Sequence, residues 1–254
     1  MRTSPARIHV SAMKLIILLL ALIAPFHVQA AERPAGVVEL FTSQGCSSCP
    51  PADALLAELA ERDDVVALAY HVDYWDYLGW KDELATPENT ARQRAYGETF
   101  DRSVYTPQAV VNGRRDIVGS HRKDVYAAID KGSEDAAALS VDVDISSSDG
   151  SVFVDVGTAA KAAPADAHIV IVYYQPRQVV SIGGGENRGQ SIDYRNIVTS
   201  FQTIGMWHGR SMRLELPKSE IMKNGGRCAV LLQTFDAEGR PGAILGAADA
   251  AESW

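Results

Sequence analysis

Val37-Val38-Glu39-Leu40-Phe41-Thr42-Ser43-Gln44-Gly45-Cys46-Ser47-Ser48-Cys49-Pro50-Pro51-Ala52-Asp53 opens on an apolar run that reads as a strand and ends in a polar, Gly-containing turn. Two cysteines stand three positions apart where the pattern changes to helical spacing. Ala52, Leu55, Leu56, Leu59 and Ala60 continue that spacing, so a helix is expected from Cys46 to Glu61, with Pro50 and Pro51 in its first turn. Val65 to Val72 is near-continuously apolar, as a buried strand parallel to the first would be. Strand, helix and parallel strand form the crossover unit of an α/β sheet.

Farther along, His71-Val72-Asp73-Tyr74-Trp75-Asp76-Tyr77-Leu78-Gly79-Trp80 concentrates four aromatics in a loop-like segment. Pro87 to Phe100 reads as a helix with Thr86 as its cap. Tyr105-Thr106-Pro107-Gln108-Ala109-Val110-Val111-Asn112-Gly113 then reads as a strand opened by proline and closed by an Asn-Gly hairpin turn. The hairpin returns through Ile117 to Gly119, and Lys123 to Lys131 makes a closing helix that ends at Gly132.

Beyond Leu139 the texture changes to strict alternation. Val141 to Ile145 and Val152 to Val156 flank Ser146 to Gly150 as an antiparallel hairpin, and His168 to Tyr174, Gly205 to Leu216 and Arg227 to Phe235 add strands. Strands without intervening helices predict a β-sandwich, with a boundary near residues 133–138. The expected organisation is thus an α/β domain at residues 36–135 followed by a β-sandwich at 138–250.

Residues 1–30 carry Arg2, Arg7 and Lys14, no acid, an apolar run from Leu15 to Phe26 and the small-residue ending Val28-Gln29-Ala30. That is the pattern of a secretory signal peptide cleaved after Ala30, with Met13 an alternative start. The apolar run is short for a transmembrane helix, so no stable membrane insertion is expected after cleavage. Removing the leader leaves 21 bases against 32 acids, a net charge of −11, which disfavours nucleic acid and anionic membranes as partners. The expected location is secreted or periplasmic, where a disulfide persists. Three cysteines allow at most one intramolecular pair.

Thiol–disulfide exchange needs an attacking thiolate, a second sulfur to resolve the mixed disulfide, and access for the partner. At a helix start Cys46 is the natural attacker, because the dipole favours its thiolate, and Cys49 the resolver. Ser47-Ser48 supplies no cation, so only a moderate lowering of the Cys46 pKa is expected. A permanently closed structural disulfide and half of a metal site are the alternatives.

The order of elements, Cys46-Ser47-Ser48-Cys49 after the first strand and Thr106-Pro107 entering the hairpin resemble the thioredoxin fold. The long motif around the cysteines, the segment His71 to Trp80 and Gly185-Glu186-Asn187-Arg188-Gly189 resemble more closely a family of secreted bacterial proteins described as a thioredoxin-like domain of unknown function. The resemblance implies a cis-proline at Pro107 that, with Thr106, binds the partner's backbone beside the cysteines. Thioredoxins carry a buried acid six positions before the first cysteine; here Glu39 lies seven before Cys46 and is the candidate proton carrier.

Tyr74 and Trp75, with Tyr77 and Trp80, offer a platform for an extended peptide, or else packing between domains. His71 joins Cys46 and Cys49 in an alternative metal set resembling copper carriers of this fold, whose cysteines are spaced by three residues and not two. Arg188 is a candidate cation reaching toward Cys46, and Cys228 a small core residue. The leading reading is a thiol–disulfide oxidoreductase acting on a protein or small thiol, with no cofactor beyond its own Cys46–Cys49 pair. A non-catalytic binding module with a structural disulfide is its rival.

Overall fold

A computed structural model describes residues 33–134, 138–159, 164, 166–224 and 226–250. The expected leader at residues 1–30 lies outside the described residues, as do positions 135–137 of the expected boundary.

The chain begins as its apolar pattern requires: β1 (Gly36–Thr42), α1 (Pro50–Leu59), β2 (Val65–His71), α2 (Pro87–Thr99), β3 (Gln108–Val111), β4 (Arg115–Val118) and α3 (Arg122–Glu134). β1 and β2 are parallel, β3 is antiparallel to β1, and β4 returns beside β3. Asn112 and Gly113 take φ of 53° and 64°, the paired left-handed conformations that an Asn-Gly hairpin supplies at low cost. Thr86 caps α2 as expected, its Oγ1 accepting from Asn89 N at 3.1 Å.

Two boundaries differ from the sequence reading. α1 starts at Pro50, so Cys46 lies in the preceding turn and Cys49 is the N-cap residue. The prolines explain the shift: a helix begun at Cys46 would need N–H groups at positions 50 and 51 that proline lacks, and in the first two helical positions none is needed. α3 runs through Gly132 to Glu134, and that glycine serves a close approach, since a Cβ there would lie 2.2 Å from Asn112 Nδ2.

The second half supplies β5 (Val143–Ser148), β6 (Ser151–Val156), β7 (Ala167–Ser181), β8 (Ser191–Trp207), β9 (Met212–Pro217), α4 (Lys218–Lys223), β10 (Arg227–Phe235) and β11 (Pro241–Asp249). These strands do not stand apart as a sandwich. β7, β8, β10 and β11 extend the first sheet, whose order is β11-β10-β7-β8-β2-β1-β3-β4, and β5-β6-β9 form a small antiparallel sheet. The result is a mixed α/β fold with one large mixed sheet. The physical reason lies at β2, whose open edge would leave backbone groups unpaired. β8 covers it in parallel at Ala69 and Ile197, and Asn196 adds its side-chain amide to Ala67 O at 2.9 Å.

Alternation along β1 divides the core. Val38 and Leu40 pack with Leu55, Leu56 and Leu59 of α1 and with Val125 and Ile129 of α3. Val37 and Phe41 face the other way, into a cluster with Tyr96 of α2, Tyr70 of β2, and Val170 and Leu231 from the second half. Burying each such Leu or Val contributes roughly 1.5–3 kcal/mol, so both faces are anchored. The small sheet closes over Ile169, Ile171, Val230 and Leu232 through Val143, Val152 and Val154.

Candidate active site

β1 carries the chain to the end of the parallel strand pair, and the turn after it holds the two cysteines. Cys46 and Cys49 form a disulfide with Cα atoms 5.4 Å apart. Cys46 is 2 % exposed and Cys49 0 %, whereas Ser47 and Ser48 between them face solvent. Ser48 Oγ lies 3.4 Å from Cys46 Sγ and also 3.4 Å from Thr106 O. The Thr106–Pro107 peptide is cis, so the proline segment stands beside the disulfide turn as the resemblance implies.

Trp75 ties these pieces together. Its Nε1 donates to Thr106 Oγ1 at 2.8 Å, and its Cβ passes so close to Gly45 that a side chain there would meet it at 3.0 Å. Tyr74 packs beside Trp75 at 5.9 Å between ring centroids, and both rest on the core cluster around Phe41. Tyr77 instead points outward, 78 % exposed, from a short turn of 3₁₀ helix at Asp76–Leu78. Trp80 donates to Gln44 Oε1 at 2.7 Å.

The glycine-rich loop of the second half seats on this surface. Gly184 leaves room for Gly79 O, 2.7 Å from where its Cβ would be, and Gly185 turns with φ of 66° against Trp80. The loop delivers Asn187, whose Nδ2 donates to Gln44 O at 2.9 Å and to Cys46 O at 2.8 Å. Arg188, the expected contributor, is exposed; the buried neighbour is Asn187.

Glu39 is not brought to the sulfurs. Its carboxylate accepts from Arg92 Nε at 2.7 Å and from Tyr96 OH at 2.5 Å. Strand side chains alternate, so seven residues before Cys46 face opposite to six: Leu40 looks toward α1, and Glu39 away from it. Arg92 also donates to Gln233 Oε1 of β10 at 2.8 Å, and its guanidinium lies 5.5, 5.2 and 5.3 Å from the rings of Tyr70, Tyr96 and Phe201. Burial works against the Arg92 charge, but Glu39 and the two phenols hold its pKa above the ordinary value. This cluster staples α2 to both halves of the sheet.

α1 carries a buried acid, Asp53, one helical turn past Cys49. It is 3 % exposed; Thr42 Oγ1 donates to its Oδ1 at 2.7 Å, while Oδ2 has no protein partner. Burial pushes the Asp53 carboxyl up to about 7; His71 and the Thr42 hydroxyl pull against this, and Asp82 adds to it. His71 is wholly buried, with Nδ1 2.8 Å from Asp82 Oδ2 and Nε2 without a protein partner. Asp82 also accepts from Gln44 N at 2.8 Å and Leu84 N at 2.9 Å. Although burial opposes ionisation, His71 and these amides hold Asp82 below the usual carboxylate range. Tyr194 of β8 closes the group, its ring 4.6 Å from that of His71. Sequence reading passed over Asp53 because an acid in a first turn reads as a dipole partner; the signal was its place on the Leu56 face of an apolar helix.

Among the described residues no group of three His, Cys, Asp or Glu side chains is arranged to hold a metal ion; Cys46 and Cys49 are joined in the disulfide, and His71 Nδ1 meets Asp82. Cys228 is wholly buried in β10, and burial pushes its thiol up to about 12, as befits a core residue.

A protein from Agrobacterium tumefaciens, known from its crystal structure, is 42 % identical over 86 % of this chain and 94 % of its own, with a TM-score of 0.78. HBP35 of Porphyromonas gingivalis is 12 % identical over 87 % of this chain and 75 % of its own, and its TM-score of 0.57 shows a shared fold alone. No curated protein matches. Residues 37–233 match the family model described as protein of unknown function (DUF1223), and the chain belongs to that family.

Proposed function

We propose that this chain is an extracytoplasmic thiol–disulfide oxidoreductase built on a thioredoxin-like core, β2-β1-β3-β4 with α1 to α3. The observation that carries the reading is the disulfide ahead of α1 beside a cis Thr106–Pro107 segment, with Ser48 Oγ reaching both Cys46 Sγ and Thr106 O and Trp75 bonded to Thr106. Starting from the dithiol, the Cys46 thiolate attacks a partner disulfide, forms a mixed disulfide and expels the first partner thiolate. Cys49 then loses its proton and attacks Cys46 Sγ, which restores the Cys46–Cys49 bond and releases the second partner sulfur. The reverse sequence oxidises a partner dithiol.

Thr106 and Pro107 hold the partner's backbone, and exposed Tyr77 with the edge of Trp75 and Tyr74 receives its side chains. Pro50 and Pro51 offer the Cys46 thiolate no N–H, so its pKa falls moderately at most. The signal-peptide pattern of residues 1–30 supports an extracytoplasmic setting, where such exchange has oxidants to meet.

A second reading, a binding module with a structural disulfide, is favoured by the burial of both sulfurs. Trapping separates the two. A reduced Cys49→Ala variant mixed with a disulfide-containing peptide is expected to retain a covalent adduct at Cys46, read by mass spectrometry and absent from Cys46→Ala. A Cys49→Ala variant that forms no adduct contradicts exchange.

A further inference from the structure

β7 outruns the strand that covers it. β10 pairs with β7 from His168 to Tyr174 and stops there, whereas β7 continues to Ser181 with β8 along its other side. Among the described residues, no strand takes up the outer edge of β7 from Gln175 to Ser181. The one further bond to its main chain comes from its own Gln175, whose Nε2 donates to Arg177 O at 3.1 Å. Pro176 and Arg177 are residues that discourage casual pairing at an edge, but Gln178, Val179, Val180 and Ser181 carry no charge, and Val179 is 56 % exposed. An uncharged edge open to solvent is a template for another extended chain.

This edge leads to the disulfide turn. The loop that closes the β7–β8 hairpin places Asn187 Nδ2 on Cys46 O and packs Gly183, Gly184 and Gly185 against Trp80. A cleft of about 390 Å³ is walled by Gln178, Val180 and Ser181 of β7 and by Gln44, Trp80 and Leu84. Trp80 Nε1 and Gln44 Oε1 satisfy each other, so the indole offers an apolar ring. Alternation along β7 puts Gln178 and Val180 on the cleft face and Val179 on the opposite one. A strand added at this edge sends every second side chain to the cleft in the same way.

We infer that the edge of β7 from Gln175 to Ser181 docks the polypeptide that carries the exchanged disulfide, which adds to the sheet as an extended segment and seats alternate uncharged side chains beside Trp80. This docking role rests on the exchange reading of the disulfide and names its substrate class. The occupant is the disulfide-bearing chain because the cleft is continuous with the candidate site: Gln44, in its wall, belongs to the turn that holds Cys46. A strand edge selects unpaired main chain, which an unfolded or locally extended polypeptide offers and a folded protein has already used. A tripeptide thiol, roughly 10 Å long at about 3.3 Å per residue, is too short to span it.

The test uses the full chain with its disulfide closed and a cysteine-free peptide of alternating valine and threonine, so that no exchange is needed. Saturating peptide is expected to slow hydrogen exchange of the outward-facing amides within residues 177–181 by about tenfold or more. The same peptide N-methylated at alternate residues is expected to bind about tenfold more weakly or worse, because its side chains remain while its main-chain donors are lost. Val179→Lys places a charge at an exposed edge position and is expected to weaken peptide binding, with amide protection in β1 and β2 unchanged as the control for folding. Amides within 177–181 that do not respond to peptide, or equal affinity for the N-methylated peptide, overturn the inference. Protection of these amides that rises with protein concentration in the absence of peptide overturns it in favour of a second copy of this chain. Peptide docking by a chain that exchanges no disulfide upholds the surface and contradicts the oxidoreductase reading.

Discussion

Arg92→Leu is expected to destabilise the fold by about 3–5 kcal/mol, the usual cost of removing one partner from a buried ion pair. Glu39 has no water to fall back on: it is 0 % exposed, and its remaining donor is the Tyr96 hydroxyl. Gln233 Oε1 on β10 loses its donor in the same variant, so the damage spans α2, β1 and β10 together. Against a typical total stability of about 5–15 kcal/mol, such a loss is visible in any urea titration. The paired change Glu39→Gln with Arg92→Leu is expected to recover most of it, because an apolar or neutral pair of similar shape leaves no uncompensated charge. A single-variant loss below about 1 kcal/mol, the range of a surface pair, contradicts this account of the cluster.

Asp53→Asn is expected to act in the opposite direction, raising stability at pH 8. With the folded-state carboxyl near 7 and an ordinary value of 3.8, the shift of about three units corresponds to about 4 kcal/mol. The stabilising preference for the protonated acid is fully present below the unfolded value and is lost as pH rises through the folded one. Above pH 7 the native state must therefore hold a buried anion that the unfolded chain ionises freely. Asparagine removes that burden and still accepts from Thr42 Oγ1 through its carbonyl oxygen. Denaturant midpoints are expected to separate most at pH 8 and to converge as pH falls toward 4. A gap independent of pH, or a less stable variant at pH 8, contradicts the buried neutral acid. A site that carries this cost in its native state is a common mark of function over stability.

The first half of the fold was legible because its signals are local. The apolar run of β1, the Leu55, Leu56 and Leu59 stripe of α1, the Thr86 cap and the Asn112-Gly113 turn each report on their own neighbours in sequence. The continuation of the sheet was not legible, because β8 reads as an alternating polar segment and nothing local says that its partner is β2. A strand chooses its edge by what remains unpaired, which is a property of the assembled fold.

The candidate site divides the same way. Cys46 and Cys49 follow from a short motif, and the cis Thr106–Pro107 peptide from the resemblance to the thioredoxin fold. Asn187 reaches Cys46 O across a sequence separation of 141 residues, and Asp53 interacts with Tyr194 of β8 only in the assembled fold. Glu39 misled for a sharper reason: a single residue of offset in a strand exchanges one face for the other.

The reduction potential of the Cys46–Cys49 pair, measured by equilibration of the full chain with glutathione, tests the oxidoreductase reading most directly. An exchanging pair is predicted to fall between about −120 and −270 mV, the span of known dithiol oxidoreductases; a value below about −300 mV marks a structural bond and contradicts the account.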